Sequence, residues 1–194
     1  MKVIGLTGSI GMGKSTLAAQ ARRLGIPVHD ADTVVHALMR PDGAAFNDIQ
    51  SAFPSVIQNG SIDRKALGHI VFNDHDKRAV LESIIHPLVR QSSSNFISHC
   101  QKHRYSFCIL DIPLLFELSR DADMDFIICV SAPKYVQKRR VLSRPAMTLD
   151  KYNSIVKTQM PDYRKRVLSD LVILSARGRR HTLNALKRLK KDHG

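Results

Sequence analysis

A chain of 194 residues is long enough to bury one sizeable core, with room for a small insertion that closes over a ligand. Hydrophobic residues make up 43% of it and charged residues 24%, which excludes disordered, collagen-like and disulfide-stapled classes. The net charge is +13, and its distribution is uneven: residues 1–133 carry 13 basic and 13 acidic side chains, residues 134–194 carry 17 and 4. Such an excess fits nucleic acid, a membrane surface or polyphosphate ligands.

In chain order, Val3–Thr7 is a short apolar run bounded by glycine, and Leu17, Ala18, Ala21 and Leu24 then recur at helical spacing until Gly25 and Pro27. The pattern predicts strand, glycine turn, helix. Ile26–His29 predicts a second short strand that ends in Asp30-Ala31-Asp32. From Thr33 to about His103 no strand is expected. Leu81, Ile84, Ile85, Leu88 and Val89 have helical spacing, with Pro87 expected to kink that helix or start a new one. Phe107–Asp111, Phe126–Val130 and Leu171–Leu174 are continuous apolar runs of the kind buried on both faces. Buried runs alternating with helices imply a doubly wound parallel sheet of about five strands. Lys138, Arg139, Arg140 and Arg144 fall where a lid would lie, while Arg177, Arg179, Arg180, Lys187, Arg188, Lys190 and Lys191 read as a solvated basic helix.

Phe126–Val130 is far short of the ~20 residues of a membrane span, and the N-terminus enters a glycine loop instead of a signal-peptide apolar region. A cytoplasmic setting is expected. Three cysteines without C-x-x-C spacing fit a reducing compartment, and Cys108 and Cys129 read as buried thiols.

Gly8-Ser9-Ile10-Gly11-Met12-Gly13-Lys14-Ser15 satisfies G-x-x-x-x-G-K-[ST] between a buried-type strand and a helix start. Backbone N–H groups of such a loop curl around phosphate oxygens, and its glycines permit the dihedral angles and the close approach. The helix N-terminus adds unpaired N–H groups and its dipole. This makes Gly11, Met12, Gly13, Lys14, Ser15 and Thr16 the expected ATP-binding residues. Lys14 bridges the β- and γ-phosphates, the Ser15 hydroxyl ligates Mg²⁺, and Thr16 assists at the α-phosphate.

Two absences narrow the class. There is no [NT]-K-x-D, which argues against a guanine-specific GTPase. Asp111 is followed by Ile112 and Pro113, without the acidic residue by which a hydrolytic ATPase orients water. A kinase instead needs a proton acceptor near the acceptor hydroxyl and cations over the transferring group. Asp32, just after the second strand and expected beside the P-loop strand, supplies the first unless it is only a helix N-cap. Arg140 and Arg144, spaced i,i+4 on one helix, supply the second unless they are surface charge.

These residues resemble the dephospho-CoA kinase family through most of the chain. The matching pieces are Gly5-Leu6-Thr7-Gly8, Asp30-Ala31-Asp32, Gly60-Ser61-Ile62-Asp63-Arg64 with Leu67 and Phe72, Leu81-Glu82 with His86-Pro87, and Leu110–Glu117. Gln137, Arg140, Arg144 and Gln159-Met160 follow in order. The resemblance implies an α/β P-loop kinase of one domain over 1–194, with a helical acceptor-binding region at 33–103 and a small helical lid at roughly 134–166. It implies transfer of the ATP γ-phosphoryl group to the ribose 3′-hydroxyl of dephospho-CoA, with Mg²⁺ and no nucleic-acid or membrane partner. By the same resemblance Asp32 is the catalytic base, Lys14 the phosphate-binding lysine and Arg140 a lid cation. Arg64 and His86 fall in the acceptor region, with helix packing equally open for His86. Asp111 supports Mg²⁺ through water or positions the acceptor. Two positions depart from the family: Ser175 replaces a common asparagine near the adenine, and His36 a common arginine. A kinase for another nucleotide or nucleoside, or an ATP-dependent nucleic-acid-binding protein, are the competing readings.

Overall fold

A computed structural model describes residues 1–193. Two compact units divide the chain, one formed by Met1–His29 with Ile97 onward, the other by Asp30–Phe96.

The first unit is built on a five-stranded sheet. Strand β1 (Lys2–Thr7) leads through the glycine loop into α1 (Lys14–Arg23), and β2 (Val28–Asp30) follows. After the second unit come β5 (Phe107–Asp111), β6 (Phe126–Ser131), α6 (Lys134–Leu142), α7 (Leu149–Thr158), α8 (Asp162–Val167), β7 (Leu171–Leu174) and α9 (Arg179–His193). Strand order is β2-β5-β1-β6-β7, with β1 parallel to β5 and β6, and β6 parallel to β7. All five residues of β5 are buried, which accounts for its unbroken apolar run in a sheet covered on both faces. Ile4 and Leu6, Phe107 and Ile109, Ile128 and Val130, and Ile173 alternate onto one face. There they meet Leu17, Ala18 and Ala21 of α1 and Leu186 and Leu189 of α9.

The basic C-terminal segment is thereby explained in part: α9 buries Thr182, Leu186 and Leu189 and turns its cations outward. Lys190 Nζ donates to Leu24 O, 2.7 Å away at the end of α1, where a cation complements unpaired carbonyls and the helix dipole.

The second unit holds α2 (Ala31–Leu38), α3 (Phe46–Ala52), β3 (Ile57–Gln58), β4 (Ser61–Ile62), α4 (Arg64–Asn73) and most of α5 (His75–Lys102). Ala45, Ile49, Phe53, Val56, Leu67 and Ile85 form its own core.

Four readings are decided by the structure, three of them against the expectation and the one at Pro87 between two alternatives. The second unit is not strand-free: β3 and β4 pair antiparallel about Asn59 and Gly60, both at positive φ (48° and 72°), as a tight two-residue hairpin turn requires. Two residues per strand are too few to show a period. Second, β2 does not lie beside β1. It is three residues long and only partly buried, which suits a sheet edge, and the fully buried β5 takes the place next to β1. Third, α5 runs through Pro87 to Lys102, so the proline does not begin a new helix. Fourth, Arg140 and Arg144 do not share a helix: α6 stops at Leu142 with Ser143 as its cap, because Pro145 disfavours helical backbone at Arg144. No helix among the described residues is long and apolar enough to cross a membrane.

Candidate active site

The glycine loop joins the C-terminal end of β1, the middle strand of the sheet, to the start of α1. The first-turn amides of α1, at Lys14, Ser15 and Thr16, lack intrahelical acceptors as in any helix, and no side chain caps the helix. Gly13, the residue at the N-cap, has φ 97°. A Cβ there would lie 3.0 Å from Ser175 Cβ and Oγ, and one on Gly11 (φ 75°) would lie 2.5 Å from Val141 Cγ2. Neighbouring side chains therefore stand close against the loop, and the positive φ at both points favours glycine.

Three cationic or hydroxyl groups converge on this loop. Lys14 Nζ pairs with Asp111 Oδ1 at 2.6 Å, and the Asp111 side chain is 2% exposed. Register explains the contact: Leu6 of β1 stands opposite Asp111 of β5, so the sheet itself brings the carboxylate to the loop. Arg140, half-buried on α6, donates from Nη1 to Ser175 Oγ (2.8 Å) and to Gly11 O (3.4 Å). Ser175 Oγ in turn donates to Met12 O (2.6 Å). The Ser175 hydroxyl thus ties Arg140 to the P-loop. Arg144, in contrast, is exposed in the turn beyond α6. Ser15 and Thr16 present exposed side chains at the head of α1, and Met12 is buried with Ala132 and Val136.

Residues without an assigned role in the sequence pin the surrounding elements. Gln137 Nε2 donates to Ile10 O (2.9 Å), and Ile10 N donates to Gln159 Oε1 (3.0 Å). Lys165, with its side chain 0% exposed, pairs with Glu117 Oε1 at 2.8 Å and donates to Pro113 O (3.0 Å). Met160 N donates to the same Glu117 Oε1 (2.8 Å). Gln137, Glu117 and Gln159 were visible only as pieces of the family pattern. Lys165 sits in Arg164-Lys165-Arg166, where no local signal separates a buried lysine from solvated neighbours.

In the second unit, Asp30 and not Asp32 caps α2, its carboxylate accepting from Thr33 N at 3.0 Å. Asp32 occupies the first turn and is exposed. Asp63 caps α4 by accepting from Lys65 N and Ala66 N. Just past it, Arg64 lines a hollow of about 650 Å³ together with His36, Ile62, Asp63 and Lys65. His86 belongs to a different hollow of about 460 Å³, shared with Glu82, Arg90 and Gln91. His36 and Arg64 are thus brought together; His86 is not with them.

A nucleotide-phosphate loop on the middle strand of a parallel sheet, with lysine and arginine held against it, defines a P-loop phosphotransferase. Residues 2–179 match the family model described as dephospho-CoA kinase, and the chain belongs to that family. It is 49% identical over 166 residues to the dephospho-CoA kinase of Paramagnetospirillum magneticum, covering 86% of this chain and 78% of the relative. Among solved structures, the Thermus thermophilus protein TT1252 superposes with a TM-score of 0.88 at 31% identity, covering 100% of this chain and 98% of that one. The dephospho-CoA kinase from Campylobacter jejuni superposes with a TM-score of 0.72 at 26% identity, covering 99% and 98%.

Proposed function

We propose that this chain transfers the γ-phosphoryl group of ATP to the ribose 3′-hydroxyl of dephospho-CoA, giving CoA and ADP, the final step of coenzyme A synthesis. The observation that carries the reading is the P-loop flanked by Lys14 and the Ser175-anchored Arg140, set in a chain whose family is that of dephospho-CoA kinases. Lys14 and Arg140 neutralise the charge of the transferring group, and the loop and α1 amides cradle the rest of the phosphate chain. Catalysis here is positioning plus charge stabilisation.

Mg²⁺ fits the donors present. It prefers hard oxygens and binds through few protein ligands plus phosphates and waters; the Ser15 hydroxyl would hold it directly, with Asp111 behind. When bound, the ion offsets negative charge on the β- and γ-oxygens. Asp32 accepts the proton of the attacking hydroxyl, a role supported by its exposure and by Asp30 having taken the cap. Arg64 and His36 engage the anionic groups of the acceptor, and His86 lies in the same region of the chain. Segment 33–103 serves as acceptor-binding region and 134–166 as lid, within one functional domain. Three buried, unbridged cysteines support a cytosolic setting, and ATP and dephospho-CoA are the partners, without nucleic acid.

The test is a single reaction holding Mg-ATP with dephospho-CoA, adenosine, AMP and cytidine nucleotides in competition, read by mass. Dominant conversion of dephospho-CoA to CoA is expected. Phosphate gained only by another acceptor would overturn the substrate while leaving a P-loop kinase.

A further inference from the structure

The tip of the P-loop is held on both sides of one residue. Ile10 donates its N–H to Gln159 Oε1 and accepts at its carbonyl from Gln137 Nε2. The amides cannot be exchanged end for end: a backbone N–H only donates and a backbone C=O only accepts, so Gln159 must present oxygen and Gln137 nitrogen. Tyr152 completes the arrangement, its hydroxyl donating to Gln137 Oε1 (3.3 Å). Gln137 is buried (5% exposed), as is Tyr152 (9%), so these bonds lie largely away from competing water.

The consequence follows from peptide planarity. In a trans peptide the C=O of one residue and the N–H of the next point in opposite directions. Fixing the Ile10 carbonyl toward Gln137 therefore aims the Gly11 N–H away from α6. Fixing the Ile10 N–H toward Gln159 likewise aims the Ser9 carbonyl the other way, where it accepts from Met12 N at 3.2 Å. Gly11 is at positive φ, where glycine has more than one low-energy state. Something outside the loop must therefore select the conformation.

We propose that Gln137 and Gln159 are positioning residues for the triphosphate: together they set the two peptide planes around Ile10 and so preorganise the P-loop's phosphate-binding amides. Gln137 also lies one turn before Arg140 on α6, so one helix carries both one arm of the clamp and the cation that touches Gly11. Gln159 is secured in turn, because the next amide, Met160 N, is bound to Glu117. The proposal rests on the kinase reading only in that the loop binds a nucleotide; it makes no use of the acceptor.

The test is the dissociation constant of Mg-ATP, measured by calorimetry without acceptor, for four variants of the full chain: Gln159→Glu, Gln159→Met, Gln137→Glu and Gln137→Met. Thermal midpoints are taken alongside. At 159 glutamate keeps the acceptor that Ile10 N–H needs, so Gln159→Glu binds Mg-ATP more tightly than Gln159→Met, which loses about tenfold. At 137 the order reverses, because glutamate faces the Ile10 carbonyl with a second acceptor and methionine does not. The 159 variants, being less buried, leave the midpoint within about 3 °C of the parent, and a change of affinity at constant stability separates positioning from folding. Equal affinities across the Gln159 pair, or the same order at both sites, would overturn the clamp. A parent chain that binds no Mg-ATP would overturn the kinase reading itself, and the clamp with it.

Discussion

Lys165 gives the sharpest energetic prediction, since a fully buried lysine is stable only through its partners. Its ammonium meets Glu117 at 2.8 Å and the Pro113 carbonyl at 3.0 Å. Lys165→Met keeps the length of the side chain and removes the charge. Glu117, whose side chain is 18% exposed, then retains Met160 N–H as a donor but loses its counter-ion. Pro113 O keeps the Thr7 hydroxyl, which donates from 3.0 Å. Breaking a buried ion pair from one side costs about 3–5 kcal/mol. The residual donors and partial exposure place this case near the lower end, about 3 kcal/mol. For a chain of this size that lowers the thermal midpoint by about 6–12 °C. Glu117→Gln leaves Lys165 charged, wholly buried and without its counter-ion, and costs at least as much. In the double variant no charge is stranded, and a glutamine at 117 still accepts from Met160 N–H, so the pair together costs about 1 kcal/mol or less. Urea unfolding of the four proteins closes the cycle. A double variant as unstable as the sum of the singles would refute the argument, since it would mean that neither charge depends on the other.

Lys14→Ala is expected to lower turnover by about 10²–10³-fold or more with the circular-dichroism spectrum retained. It should also lower stability, because the nearly buried Asp111 loses its cation; near-normal turnover would remove the loop lysine from the mechanism. Asp32→Asn should cut turnover about 10²–10⁴-fold and leave Mg-ATP affinity unchanged in a binding titration, and a change confined to affinity would sink its role as base. Burial pushes the Cys108 and Cys129 thiols from 9.0 up to about 12. Their contribution to stability is complete below pH 9 and is lost as pH rises toward 12, because the unfolded chain releases those protons first. Each thiol adds a limiting slope of about 1.4 kcal/mol per pH unit. Urea midpoints at about pH 8 and about pH 10 should therefore diverge less in a Cys108→Ala, Cys129→Ala variant than in the parent.

What the sequence disclosed follows the range over which each signal acts. The strands of the main sheet were legible because burial on both faces writes an unbroken apolar run, and the P-loop because its glycines answer to local backbone geometry. Strand order was not, since nothing within Ile26–His29 says whether its neighbour is β1 or β5. The hairpin at Asn59-Gly60 escaped because two-residue strands carry no period, although the turn dipeptide itself was a cue. Helical spacing misplaces Arg144 because it ignores the following Pro145, which disfavours helical backbone at the residue before it. Gln137, Gln159, Lys165 and Ser175 act through partners between 15 and 163 residues away, and a polar residue reads the same whether it faces water or a distant carbonyl.

That last separation bears on how the enzyme is made. Met12 leaves the ribosome 163 residues ahead of the serine that receives Arg140 beside it, and Lys14 leaves 97 residues ahead of Asp111. Because synthesis runs from the N-terminus at about 5–20 residues per second, the phosphate loop spends most of translation without the partners that give it its shape. The site is completed only when β7 and Ser175 arrive, and a chain released before that point carries the nucleotide motif without its supporting contacts.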